Sequence, residues 1–156
     1  DPSVQLVIVG DGPERDCLTE VLPGAVFTGA LGGEELARAY ASLDLFVHTG
    51  EFETFCQAIQ EAKACGVPVI SPRKGGPIDL IDPSRTGWLY EPGDMADFRS
   101  RVVDLVGDDY KRRAMGVAAR ASIEHRTWQN LCSELVEHYK EAIRLAGRST
   151  KIRAAL

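Results

Sequence analysis

The chain has 156 residues, 44% of them hydrophobic and 26% charged, with a formal net charge of −5. A chain of this length holds one core and buries roughly 68–70% of its unfolded surface, and its composition is neither that of a disordered segment nor that of a membrane span. The acid excess excludes nucleic acid as a partner, because phosphate recognition needs a clustered basic stripe. The nearest approach to one, Lys111-Arg112-Arg113, follows Asp108-Asp109 and reads as a solvated helix face.

In chain order, short apolar runs alternate with helical stretches. Val4–Val9 predicts the first strand, and Gly12-Pro13 opens a helix over Glu14–Val21 with Pro13 at its first position. Val26–Thr28 predicts the second strand, followed by a helix over Glu34–Leu43. Leu45–His48 predicts the third strand, Phe55–Cys65 a helix, Val67–Ser71 the fourth strand and Trp88–Tyr90 the fifth. Helices then follow over Met95–Val106 behind Asp94, over Tyr110–Glu124, and over Trp128–Leu145 behind Thr127. The polar end from Arg148 to Arg153 is expected to fray. The strand runs are too apolar to be half-exposed, so they predict a parallel sheet covered on both faces. The fold class expected is α/β, a doubly wound parallel sheet with a helical C-terminal tail, as one domain over residues 1–156. Ligands of such sheets bind beyond the carboxyl ends of the strands.

Cys17, Cys56, Cys65 and Cys132 form no C-x-x-C pair and show no metal-ligand spacing. Cys56 and Cys65 share a predicted helix too far apart to bridge, so all four read as reduced, buried, small apolar residues. That pattern, and the lack of a run of about 18 apolar residues or a visible secretion signal, fit a cytoplasmic protein.

The richest segment runs from Glu53 to Val69. Thr54 and Gln57 have capping-box spacing, and Gly66 stands where a helix ends. A helix starting there offers free N–H groups from Phe55, Cys56 and Gln57 and a positive dipole end, which suits a diphosphate. Glu53 sits before that cradle, and Glu61 lies about seven residues into the helix, roughly 10 Å along it.

Glu53, Phe55, Glu61, Ala62, Ala64, Gly66, Pro68 and Val69 match the pattern E-x-F-G-x-x-x-x-E-A-x-A-x-G-x-P-V. Through it the chain resembles the retaining GT-B glycosyltransferases with the E-x7-E motif, the large family that includes sucrose synthases and mannosyltransferases. The resemblance continues through Val9-Gly-Asp-Gly-Pro13, Phe27-Thr-Gly29, Gly75-Gly-Pro77 with Ile81, Thr86-Gly-Trp-Leu89 and Thr127-Trp128. It implies a donor-binding domain in which Glu53, the catalytic candidate, contacts sugar hydroxyls and Glu61 contacts the ribose. The amides of Thr54, Phe55, Cys56 and Gln57 hold the diphosphate, and Leu31 packs on the base. Cys56 stands where that pattern has glycine. The wording around it is similar to bacterial, lipid-directed mannosyltransferases that use GDP-mannose, which implies GDP-mannose as donor, no cofactor, and peripheral membrane association of the full-length enzyme at the inner membrane surface.

His48 ends a strand on the ligand side and either touches the donor or is satisfied by loop carbonyls. Arg73 and Lys74 either offset diphosphate charge or are exposed loop cations, and the second reading is favoured. No metal is expected, since Glu51-x-Glu53 is the nearest approach to a metal pair and no D-x-D occurs. Two other readings stand beside the transferase: a non-catalytic nucleotide or interaction module of flavodoxin-like fold, and a GT-B sugar-nucleotide epimerase. The Glu53–Val69 pattern is unexplained by the first.

The related enzymes carry an arginine and a lysine for the diphosphate just upstream of a strand equivalent to Val4–Val9, and a separate acceptor domain. The chain therefore reads as a donor-binding fragment, inactive alone. In that family the strand upstream of Val4 lies mid-sheet in the order 3-2-1-4-5-6. Without it, the expectation is direct pairing of Val4–Val9 with Leu45–His48, giving the order 2-1-3-4-5, with cover by a second copy as the alternative.

Overall fold

A computed structural model describes residues 4–153. Five short strands alternate with helices: β1 (Val7–Val9), α1 (Arg15–Val21), β2 (Val26–Gly29), α2 (Gly33–Ala41), β3 (Phe46–Val47), α3 (Gln57–Ala64), β4 (Val69–Pro72), α4 (Pro77–Leu80) and β5 (Gly87–Tyr90). Three helices follow, α5 (Met95–Val106), α6 (Asp109–Ile123) and α7 (Trp128–Arg153). Contacts divide the chain into two compact units that meet at Ser122 and Ile123.

The first unit is α/β. β3, β4 and β5 form a parallel sheet in that order, with Phe46 opposite Val69 and Ile70 opposite Trp88. β4 is the middle strand and every one of its residues is buried, as a strand covered on both faces must be. Its side chains divide by alternation. Val69 enters a cluster with Tyr40, Cys56, Ile59, Ala62, Val67, Leu80, Ile81 and Leu89, against the α2, α3 and α4 side. Ile70 enters another with Tyr90, Leu105 and Met115, against α5 and α6. Full burial of Ile59, Val69, Ile70 and Leu105 stabilises by about 1.5–3 kcal/mol for each side chain. Gly87 is required on β5, because a Cβ there would run into the Val69 carbonyl of the neighbouring strand.

The pairing expected between the first and third strand runs is not formed. β1 pairs in parallel with β2 alone, in a separate two-stranded sheet, and β3 pairs with β4 alone. Closing the two sheets would move α2, which follows β2 directly, by about one strand spacing of 4.8 Å. That shift would pull Tyr40, Leu36 and Leu43 off the α3 core. The expectation that no strand is half-exposed also fails for β1 and β2, where Val9 and Val26 lie open to solvent.

Local signals account for some helix ends. Asp94 caps α5, its carboxylate accepting from the Ala96 and Asp97 N–H groups at 2.9 Å. Gly66 takes φ 76° behind α3, the left-handed position of a helix terminator. Pro13 is not the first residue of α1. Gly12 to Arg15 is a turn, with the Arg15 N–H donating to the Gly12 carbonyl at 3.1 Å, and the helix begins at Arg15. The four-residue helix α4 was not anticipated; the buried Lys63 ammonium of α3 donates to its Leu80 carbonyl. All four cysteines are free, but Cys17 and Cys132 are exposed rather than buried.

The second unit is helical. Thr127 caps α7, accepting from the Asn130 N–H at 3.2 Å, and the helix runs past the expected end at Leu145 to Arg153.

Candidate functional site

Two loops leave the carboxyl ends of adjacent parallel strands: residues 48–56 after β3 and residues 73–76 after β4. Parallel pairing puts both at the same edge of the sheet, where α/β folds hold ligands. The loops are locked together through backbone. The Gly76 N–H donates to the Glu53 carbonyl at 2.8 Å, and a Cβ on Gly75 or Gly76 would collide with the Glu53 or Thr54 carbonyl. The two glycines thus place Glu53 by permitting this approach.

That contact also draws Glu53 and Thr54 away from a helical path, and the expected capping box is not made. α3 starts at Gln57; its N-cap is Cys56, in a left-handed conformation (φ 45°, ψ 70°), and no side chain caps the helix. The first-turn amides are therefore those of Gln57, Ala58 and Ile59; the Ile59 N–H faces the Cys56 sulfur, which leaves Gln57 and Ala58 without a partner in the helix. Gln57, expected to cap, instead donates from Nε2 to Glu61 at 3.1 Å. Glu61 is the fifth helical residue, about 6 Å along the axis from Gln57, closer to the helix start than the sequence implied.

Glu61 has a second partner that sequence reasoning missed. The buried Tyr40 hydroxyl of α2 hydrogen-bonds to its carboxylate; burial first, then the Glu61 charge, push the phenol up to about 12. Tyr40 also meets Phe46 edge to face at 5.5 Å, which fixes its ring. A long-range side-chain contact of this kind leaves no spacing signal in the chain.

Cys56 is buried, and burial pushes its thiol up, with the Ile59 N–H opposing and the Glu53 charge adding. His48 is tied to β4 by its backbone N–H, which donates to the Ile70 carbonyl at 2.9 Å. Its ring meets Cys56 instead of a loop carbonyl, with Nε2 3.6 Å from Sγ. A donor atom from each of His48, Glu53 and Cys56 lies within 4.8 Å of the other two. This cluster was not visible in the cysteine spacing.

Around the cradle, Phe52 and Phe55 are exposed. Lys74 pairs with Glu51 at 3.0 Å and lies 4.5 Å from the Phe52 ring centroid, while Arg73 pairs with Glu91 at 2.7 Å. Both cations are thus engaged by carboxylates. Leu31 lies half-buried in the loop between β2 and α2; no described hydrogen bond joins it to the Glu53–Glu61 segment. Thr54, Phe55, Cys56, Gln57, Glu53 and Glu61 are brought together; Leu31 lies on the loop that leaves the carboxyl end of β2.

The family described as "Glycosyl transferases group 1" matches residues 1–108. A GDP-mannose-dependent alpha-mannosyltransferase of Corynebacterium glutamicum is 54% identical over 145 residues, 93% of this chain and 35% of that protein. One of the same description from Mycobacterium tuberculosis is 53% identical over 149 residues, 95% of this chain and 38% of that protein. The chain thus spans little more than a third of the length of these curated relatives. Among solved structures, Anabaena HepE in complex with UDP superposes with a TM-score of 0.78 at 23% identity, covering 90% of this chain and 42% of that one. Sucrose-phosphate synthase from Thermosynechococcus elongatus gives 0.79 at 24% identity, covering 90% and 39%. These two likenesses concern the fold, a Rossmann-like parallel α/β arrangement of the GT-B kind. The chain belongs to the group 1 glycosyl transferases.

Proposed function

We propose that this chain is the donor-binding part of a retaining mannosyltransferase that takes mannose from GDP-mannose and delivers it to an acceptor hydroxyl. The observation that carries the reading is the start of α3, whose first amides, those of Gln57 and Ala58, lie at the ligand edge of the sheet with Glu53 before them and Glu61 within the helix's second turn. The Gln57 and Ala58 amides and the helix dipole favour a diphosphate there. In the transition state the leaving diphosphate gains charge, so preorganised donors aimed at it stabilise the transition state more than the ground state. Glu53, placed by the glycine loop, takes the sugar hydroxyls and orients the anomeric carbon. Glu61, held by Tyr40 and Gln57, takes the ribose hydroxyls, and Leu31 packs on the base. The 53–54% identity to enzymes described as GDP-mannose-dependent supports the choice of guanine and mannose.

On the same reading the enzyme works in the cytoplasm, at the inner membrane surface, with a lipid-linked acceptor and a separate acceptor-binding half. On this reading the whole enzyme attaches peripherally; no described helix is long and apolar enough to cross a membrane. The test is transfer of radiolabelled mannose from GDP-mannose by the whole protein into a lipid extract of membranes, with the anomer of the product determined. An α-linked, organic-soluble product is expected. Transfer from UDP-glucose in its place, or a β-linked product, would refute the assignment.

A further inference from the structure

The His48, Glu53 and Cys56 cluster has the chemistry of a metal centre. We propose that these three residues form a binding site for a divalent transition-metal ion of the zinc type, with the fourth coordination position open. Zinc takes sulfur at about 2.3 Å and imidazole nitrogen at about 2.0–2.1 Å in tetrahedral geometry, which sets a sulfur–nitrogen edge of about 3.5 Å. The Cys56 Sγ to His48 Nε2 separation is 3.6 Å, so two ligands already stand on a zinc edge. The Glu53 carboxylate, within 4.8 Å of both, needs to close by about 1.3 Å at most, a side-chain rotation.

Two further features fit this site. A Cβ at Gly50 would lie 2.9 Å from His48 Nε2 and 3.6 Å from Glu53 Cγ, so glycine there lets the loop pass close to both side chains without crowding them. Cys56 also keeps a side chain at φ 45°, in the left-handed region that favours glycine, where another residue persists only if the surroundings hold it. One thiolate, one imidazole and one carboxylate select zinc, cobalt or their like; magnesium and calcium take oxygen ligands. On binding, the Cys56 thiol gives its proton to solvent, and His48 coordinates as the neutral ring through Nε2. A bound ion holds the Glu53 carboxylate, so metal and donor sugar exclude each other; that consequence alone rests on the donor-site reading above.

Cobalt(II) titration of the chelator-stripped protein reads the ligands directly. One equivalent is expected, with a thiolate-to-cobalt charge-transfer band and the intense d–d bands of four-coordinate cobalt, both bleached by zinc. Cys56→Ser and Cys56→Gly should each abolish the charge-transfer band, with circular dichroism checking the fold; glycine suits the backbone at that position. His48→Ala and Glu53→Gln should weaken cobalt binding by about tenfold or more. A band that survives in Cys56→Gly would place the binding on another thiol. No band in the unsubstituted protein would leave a thiol–imidazole hydrogen bond only; either result overturns the site.

Discussion

Replacing Cys56 by glycine and by alanine probes the backbone on which the cradle depends. At φ 45° and ψ 70°, any Cβ costs about 1–2 kcal/mol in steric conflict. Alanine keeps that conflict and loses the buried sulfur, worth about 0.8 kcal/mol if counted as one buried methylene-sized group. Glycine removes the conflict and also loses the sulfur, but its freer unfolded chain costs about 0.4–1 kcal/mol. At the middle of these ranges glycine should therefore be more stable than alanine by about 0.8 kcal/mol and lie near the parent. At an ordinary helix or strand position the order is reversed, with alanine favoured by about 0.5–1 kcal/mol. Urea unfolding checks this: at a slope near 2 kcal/mol/M the midpoints should differ by about 0.3–0.5 M, with the slope unchanged. Alanine equal to or above glycine would show that residue 56 is not held at positive φ, and the account of how α3 begins would fall with it.

Glu53→Ala in the whole enzyme should reduce turnover far more than it weakens binding of the nucleoside diphosphate, because its contacts are assigned to the sugar; equal losses in calorimetry and steady-state kinetics would assign it a structural role. Glu61→Ala should raise the donor KM with kcat little changed, since a ribose contact serves ground and transition states alike. Tyr40→Phe keeps the ring against Phe46 and removes only the hydroxyl on Glu61; a hydrogen bond to a charged group is worth about 1.5–3 kcal/mol, so it should produce a smaller rise in the same KM and no fall in kcat. Because the Tyr40 phenol is raised from 10.0 to about 12, its contribution to stability is fully present below about pH 10 and is lost as pH rises through about 12; the parent should lose more stability than Tyr40→Phe over that range. In hydrogen exchange, the amides of β4, paired on both sides and buried, should open only with global unfolding, whereas those of β1 and β2 should exchange through local opening at lower cost. Equal protection in both sheets would contradict their separation.

The sequence by itself determined what short-range interactions decide. Alternating apolar runs and helices specified a parallel α/β sheet, Asp94 and Thr127 started α5 and α7, and Gly66 ended α3, because each of these depends on residues a few positions away. The pattern from Glu53 to Val69 pointed to one helix start at the ligand edge for the same reason. Only the tertiary structure decided how that start is built. Gly76 bonds the Glu53 carbonyl across two loops, which moves the helix start to Gln57 and sets Cys56 in a left-handed conformation. Tyr40 reaches Glu61, and His48 meets Cys56, through side chains brought together by packing between separate elements. The separation of β1 from β3 belongs here as well: right-handed crossover geometry permits their pairing, yet the packing of α2 against α3 opposes it. Which strand edges meet is set by the summed burial of distant side chains, and no local run of residues encodes that sum.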